Sequence, residues 1–278
     1  MLSVGPTDDV TNRMVRHMTY TPPTTAGLAV EPNTSLAQSG RIASPSGQLT
    51  RMMPLMRKYE VAHLTPSLEI HDAIISAPAV PLFENAFAAF GHGAIVHTEC
   101  GPMAVEDLLP GDRVMTTHHG MQTLMWRGAM SLSPNDQNLG TMTRITAEAL
   151  GMGRPSLDLV LGPSARILHR SPAVQVLTGA AEAMIPVSDF ADGSQIIALR
   201  PVSRVQFYQL GFAKHTSINV NGIDVETLHP GPVHTLKLRA DMQAHFSNLF
   251  AHMDSPAAFG PLAAPRLRKD DIDLVMAA

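Results

Sequence analysis

Between residues 94 and 230, turn-forming residues cut the chain into short segments in which apolar and polar side chains alternate. This punctuation constrains the fold more than any other feature, because alternation with period two belongs to half-buried strands. Ala94-Ile95-Val96-His97-Thr98 reads as a strand, Glu99-Cys100-Gly101-Pro102 as a turn and Met103-Ala104-Val105 as the returning strand. Pro110-Gly111 marks the turn of a tight connection. Arg113 to Thr117 and Gln122 to Gly128 are strands on either side of the His118-His119-Gly120 turn. Extended chain follows over 157–168, broken at Gly162-Pro163, and again over 202–210 and 217–220. Asn221-Gly222 then predicts a two-residue hairpin into Ile223-Asp224-Val225. The fold class expected is all-β. With 45% hydrophobic and 16% charged residues, the chain can fill a sizeable core.

The flanks read differently. Residues 1–50 are rich in Pro, Thr, Ser, Gly and Met and keep no hydrophobic period, so a disordered tail is expected there. Over 51–88 the alternation of Tyr59 to Leu64, stopped by Thr65-Pro66, predicts a strand, and Leu68 and Ile70 suggest its hairpin partner. Leu82, Phe83, Phe87 and Phe90 form an apolar lead-in, a short helix or an irregular segment, expected to dock on the protein's own fold. Beyond Pro230-Gly231, residues 232–278 read as a helical C-terminal extension. Leu236, Met242, Phe246, Leu249 and Phe250 fall near one face of a helix over 235–252, and 270–276 forms a second short one.

A formal charge of −4 gives neither a basic nucleic-acid footprint nor a strong acidic tail. A single cysteine, Cys100, excludes an intramolecular disulfide and an all-cysteine zinc site. No apolar run reaches the ~20 residues of a membrane span. The N-terminus has no signal pattern, since Asp8, Asp9 and Asn12 interrupt it. A cytoplasmic protein is the expectation, with export by a signal-less route left open.

Five pieces in order carry a resemblance. They are Gly93 to Thr98 with Val105-Glu106-Asp107-Leu108 and Pro110-Gly111-Asp112-Arg113-Val114; Gly120-Met121-Gln122 with Trp126-x-Gly128; Leu159 to Leu168; Ile185-Pro186 with Asp192-Gly193; and Tyr208 to His215 with Asn221-Gly222 to Pro230-Gly231. No piece is specific alone. Together, over residues 89–231, they resemble the Hint family of hedgehog autoprocessing domains and inteins, in its bacterial hedgehog/intein form. The resemblance implies a horseshoe-shaped β-fold whose two chain ends meet at one active site.

Hint chemistry needs a thiol or hydroxyl at the domain's first position, to attack the preceding carbonyl. Counting back four from Gly93 gives Ala89, followed by Phe90, and a methyl group cannot attack. A histidine must protonate the departing amide nitrogen. The matching position, two residues after Gly162-Pro163, is Ala165. His169 is on the same strand face but ~13 Å further along. Inteins also need a terminal His-Asn pair, and the matching positions carry Glu226-Thr227. His215 matches the histidine of the penultimate block, either as a remnant catalytic group or as a hydrogen-bonded linker. The linker is preferred, because a base without a nucleophile has nothing to do.

Other candidates have blander readings. Cys100 is an exposed turn thiol unless that turn folds back to the cleft. Adjacent His118 and His119 on a strand would point to opposite faces, so a solvated turn is expected rather than a metal site. Glu106 and Asp112 are expected to bond backbone amides beside the Pro-Gly turn. Gly151-Met152-Gly153-Arg154-Pro155 lacks a following phosphate-binding helix, and neither a cofactor nor a metal is implied. The leading expectation is a Hint-fold protein that has lost autoprocessing and serves as a binding or scaffold module for a protein partner of unknown identity. The alternative is self-cleavage by a displaced nucleophile, Cys100 or Ser164, assisted by His215 or His169.

Overall fold

In the computed structural model, which describes residues 55–136, 140–232, 236 and 240–277, the alternating segments are strands. The tail expected over residues 1–50 lies outside the described residues. Strands β1 (Met56–Leu64) and β2 (Ile70–Pro78) form an antiparallel hairpin with Leu64 facing Ile70 across the turn. The lead-in combines both forms its spacing allowed, a single helical turn α1 (Pro81–Glu84) and then irregular chain up to β3 (Phe90–Gly91). Next come β4 (Ile95–Thr98), β5 (Gly101–Ala104), β6 (Arg113–Thr116) and the long β7 (Gly120–Leu132). They are followed by β8 (Met142–Ile145), β9 (Leu159–Leu161) and β10 (Arg166–His169). Helix α2 (Pro172–Thr178) precedes β11 (Ala183–Pro186), β12 (Ile196–Leu199) and β13 (Val205–Phe212). The hairpin β14 (Ser217–Val220) and β15 (Ile223–Glu226) ends the β-region, and α3 (Ala240–Leu249) and α4 (Lys269–Met276) close the chain.

Strand β7 is the beam that joins the two halves of the sheet. Its first residues pair with β6, Arg113 opposite Thr123. Its later residues pair with β13 on one side, Tyr208 opposite Ala129, and with β1 on the other, Glu60 opposite Ala129. Strand β13 in turn carries β3, which places Phe90 opposite Tyr208. The β14–β15 turn has the form its sequence demands: Asn221 and Gly222 both take positive φ, 50° and 91°, as a primed hairpin turn requires. Asn221 Oδ1 also accepts the Ile95 N–H at 2.8 Å, tying this hairpin to β4.

Two main apolar cores result. The larger contains Val96, Val114, Leu161, Leu210, Ile218 and Val225, and includes Ala89 and Ala165. The second is formed by Tyr59, Phe83, Phe87, Trp126, Phe207, Phe246 and Phe250. It joins the β1–β2 hairpin, the lead-in and α3, so the apolar lead-in docks on the protein itself. Phe87 meets Trp126 edge-on at 5.2 Å and Phe250 at 6.1 Å, and Trp126 Nε1 donates to the Leu249 carbonyl at 2.9 Å. Among the described residues, no helix is long and apolar enough to cross a membrane. Because Phe87 is fully buried at the centre of this cluster, Phe87→Ala is expected to cost about 3–5 kcal/mol in urea unfolding. A loss below about 1 kcal/mol would show that the lead-in does not hold the extension to the sheet.

Candidate functional site

The Ala88–Ala89 peptide is gripped on all sides by backbone. The Ala89 N–H donates to the Tyr208 carbonyl at 3.2 Å, and the Ala89 carbonyl accepts from the Gly162 N–H at 2.7 Å. The Ala88 carbonyl accepts from the Ser164 N–H at 3.1 Å. Gly162 is required here, since a Cβ at that position would stand 2.1 Å from the Ala88 oxygen. The 162–165 turn closes with the Ala165 N–H donating to the Gly162 carbonyl at 3.1 Å. The structure therefore brings the chain around Ala89 and Ala165 together. Both methyl groups are 1% exposed and belong to the larger core.

Beside this peptide, the end of β15 places Glu226 in a ring of positive and polar groups. Its carboxylate receives Arg166 Nη1 at 3.2 Å and Arg266 Nε at 2.8 Å, and His215 Nε2 stands 3.3 Å away. Burial pushes the Glu226 carboxyl up, but His215, Arg266 and Arg166 together outweigh it and hold the group at about 2. Thr227 is a stitch between strands: its hydroxyl donates to the Thr216 carbonyl at 2.8 Å and accepts the Thr216 N–H at 3.3 Å. His215, its side chain fully buried, accepts the Ala263 N–H on Nδ1 at 2.9 Å. His229 accepts the Gly231 N–H on Nδ1 at 3.0 Å and reaches the Gly260 carbonyl with Nε2 at 3.1 Å, so the ring proton is on Nε2. Desolvation lowers His229 to about 4, which keeps it neutral.

Both ends of the β-region open on one cleft of about 260 Å³. Pro81, Leu82, Asn85 and Ala86 of the lead-in line one side, and Ser164, Arg166, Gln209, Glu226, Thr227, His229 and Arg266 line the rest. Of the displaced candidates, only Ser164 is at this cleft. Its hydroxyl oxygen is buried and has no hydrogen-bond partner. Cys100 is exposed in the β4–β5 turn, where its N–H donates to Thr98 Oγ1. His169 packs its ring 5.9 Å from Phe190, away from the cleft lining.

Elsewhere, Glu106 accepts the Gly93 N–H at 2.9 Å and Asp112 accepts the Leu109 N–H at 2.7 Å, as expected of turn carboxylates. One expectation needs correction. His118 is not simply solvated: its ring, 21% exposed, bonds Thr216 Oγ1 at 3.3 Å and the Glu182 carboxylate, partners distant in sequence. Arg166 and Arg266 are the cleft residues that motif reading passed over. Arg166 is adjacent to the position sought in the motif. Arg266 comes from the extension and has no local signal.

Glu226 ties the site to stability. Held at about 2 against an ordinary 4.5, the carboxylate stabilises the fold fully above about pH 4.5, and this contribution is lost as pH falls towards 2. Glu226→Gln, which leaves Arg166 and Arg266 without their counter-charge, is expected to lose about 3–5 kcal/mol at pH 7. The gap to the parent protein should close as pH falls through that window, as followed by urea unfolding at each pH. A gap independent of pH contradicts the assignment.

No curated protein matches the chain. Two solved structures are similar over about half of it. One is the solution structure of a bacterial intein-like domain from Clostridium thermocellum, 10% identical, TM-score 0.36, covering 50% of this chain and 98% of that one. The other is a splice-inactive, GSH-linked variant of the AceL NrdHF class 3 split intein, 11% identical, TM-score 0.35, covering 51% and 98%. The family model of the Hint domain matches residues 88–232, more than half of the chain's length, and with the all-β fold around the Ala88–Ala89 peptide this makes the chain a member of the Hint-domain family.

Proposed function

We propose that this protein keeps the Hint fold without its self-cleaving reaction and serves as a binding module for a protein partner. One observation carries the proposal. The peptide that the fold grips, Ala88–Ala89, has a methyl group where the reaction needs a nucleophile, and Ala165 offers no proton donor across from it. The sharpest competitor is Ser164, whose unpartnered hydroxyl belongs to the residue that holds the Ala88 carbonyl. An attacking hydroxyl needs a base with an open lone pair. His229, which shares the cleft with Ser164, has both nitrogens engaged. His215 uses its Nδ1 lone pair on Ala263 and turns Nε2 towards Glu226. These engagements favour a silent site over a displaced one.

Restoring the missing groups tests the proposal. In a Cys100→Ala background, Ala89→Cys with Ala165→His places a thiol at the gripped peptide. Attack on the Ala88 carbonyl breaks its bond to the residue-89 nitrogen, leaves a thioester and frees the amine, and added dithiothreitol then exchanges off a fragment ending at residue 88. The double replacement is expected to cleave under dithiothreitol, and the Cys100→Ala parent is expected not to. Cleavage of the unaltered chain that Ser164→Ala abolishes would establish the displaced-nucleophile reading instead.

A further inference from the structure

The cleft lined by Ser164, the residue whose N–H holds the Ala88 carbonyl, is richer in free donors than in free acceptors among the described residues. Among the described residues, its charged lining is Arg166, Arg266 and Glu226, an excess of one positive charge, and His229 beside them is neutral. The acceptors are already committed: Glu226 Oε2 to Arg166 and Oε1 to Arg266, and Thr227 Oγ1 to Thr216. Of the described side chains left over, Asn85 offers both an acceptor and donors, and the others can all donate. Ser164 Oγ is buried with no partner. Arg166 makes a single hydrogen bond, through Nη1, and so keeps Nε and Nη2 available. Gln209 has its oxygen occupied by the Leu210 N–H, which leaves its amide N–H groups as donors.

The buried, unpartnered Ser164 hydroxyl is costly to leave unmatched, and with the free Arg166 and Gln209 donors and the excess positive charge it favours an acceptor-rich ligand carrying one negative charge. A carboxylate fits, whereas a phosphate dianion would reverse the imbalance. Pro81, Leu82, Ala86 and Leu228 supply an apolar wall, with Asn85 beside it. At about 260 Å³ the cleft is below the ~300–1,000 Å³ of sites for whole small ligands, which suits the end of a chain.

We propose that this cleft captures the C-terminal carboxylate of a peptide, with the guanidinium of Arg166, the hydroxyl of Ser164 and the amide of Gln209 as donors and the apolar wall receiving the last side chain. The inference rests on the binding-module reading and names the ligand class for it.

The test uses the full chain and calorimetric titration with three probes: the acetylated tripeptide Gly-Ala-Leu with a free C-terminus, the same peptide amidated, and sodium acetate. The free acid is expected to bind at least tenfold more tightly than the amide, and acetate more weakly than either, which separates a peptide end from a free small acid. Ser164→Ala, which removes only an unpartnered group, should weaken the free acid severalfold while leaving the urea midpoint in place. Arg166→Gln should remove the preference for acid over amide. Equal affinity for acid and amide, or an unchanged affinity in Ser164→Ala, overturns the proposal, and acetate binding as tightly as the peptide refutes the peptide end. Intact mass of the same samples separates the two levels. A chain that stays whole yet ignores the acid loses this inference alone, whereas a chain that cuts itself loses the binding-module reading beneath it.

Discussion

The Ala88 carbonyl lies against residue 162 so closely that only glycine fits there, and the rest of the site is arranged around that contact. It positions the Ser164 amide on the carbonyl, sets Ala165 at the edge of the larger core and brings the lead-in over the cleft. In such a cradle a poised nucleophile would find its target carbonyl already hydrogen-bonded by an amide, the arrangement that stabilises charge developing on oxygen. The side chains that would use it are methyl groups packed in the core. A held carbonyl and two inert side chains, Ala89 and Ala165, therefore coincide at one peptide.

The C-terminal extension is part of this site as well as part of the fold. Helix α3 and the residue that follows it cap the aromatic core through Phe246 and Phe250. Further on, backbone bonds link Met184 to Pro265 at 2.8 Å and Leu267 to Met184 at 3.1 Å. Between them Arg266 reaches Glu226 and the His229 carbonyl, and Ala263 takes the remaining lone pair of His215. The buried Glu226 is balanced by cations from two distant parts of the chain.

Local signals were enough for most of the architecture. The alternation from Ala94 to Thr98, the Pro110-Gly111 turn and the Asn221-Gly222 hairpin each specify backbone geometry within a few residues, and the strands stand where they point. Strands β8 and β12 were not legible: Met142–Ile145 and Ile196–Leu199 are four residues each and acquire strand character by pairing with one another. Helix α2 has Ser171-Pro172 at its start and Gly179 at its end, but seven residues are too few to show a period. Within the site, the alanines at 89 and 165 could be located by motif spacing. Arg266 could not, because only tertiary packing brings it to Glu226 from 40 positions away. His118 deceived for the same reason, its partners Thr216 and Glu182 being distant in sequence.

The proposed silence of the site rests on Ala89 and Ala165, whose methyl groups stand where the reaction needs a nucleophile and a proton donor. The most direct measurement is the intact mass of the unaltered full-length chain, followed for days at neutral pH with and without added thiol. One species at the full-length mass throughout is the predicted result. A fragment pair with its boundary after residue 88 would contradict the account.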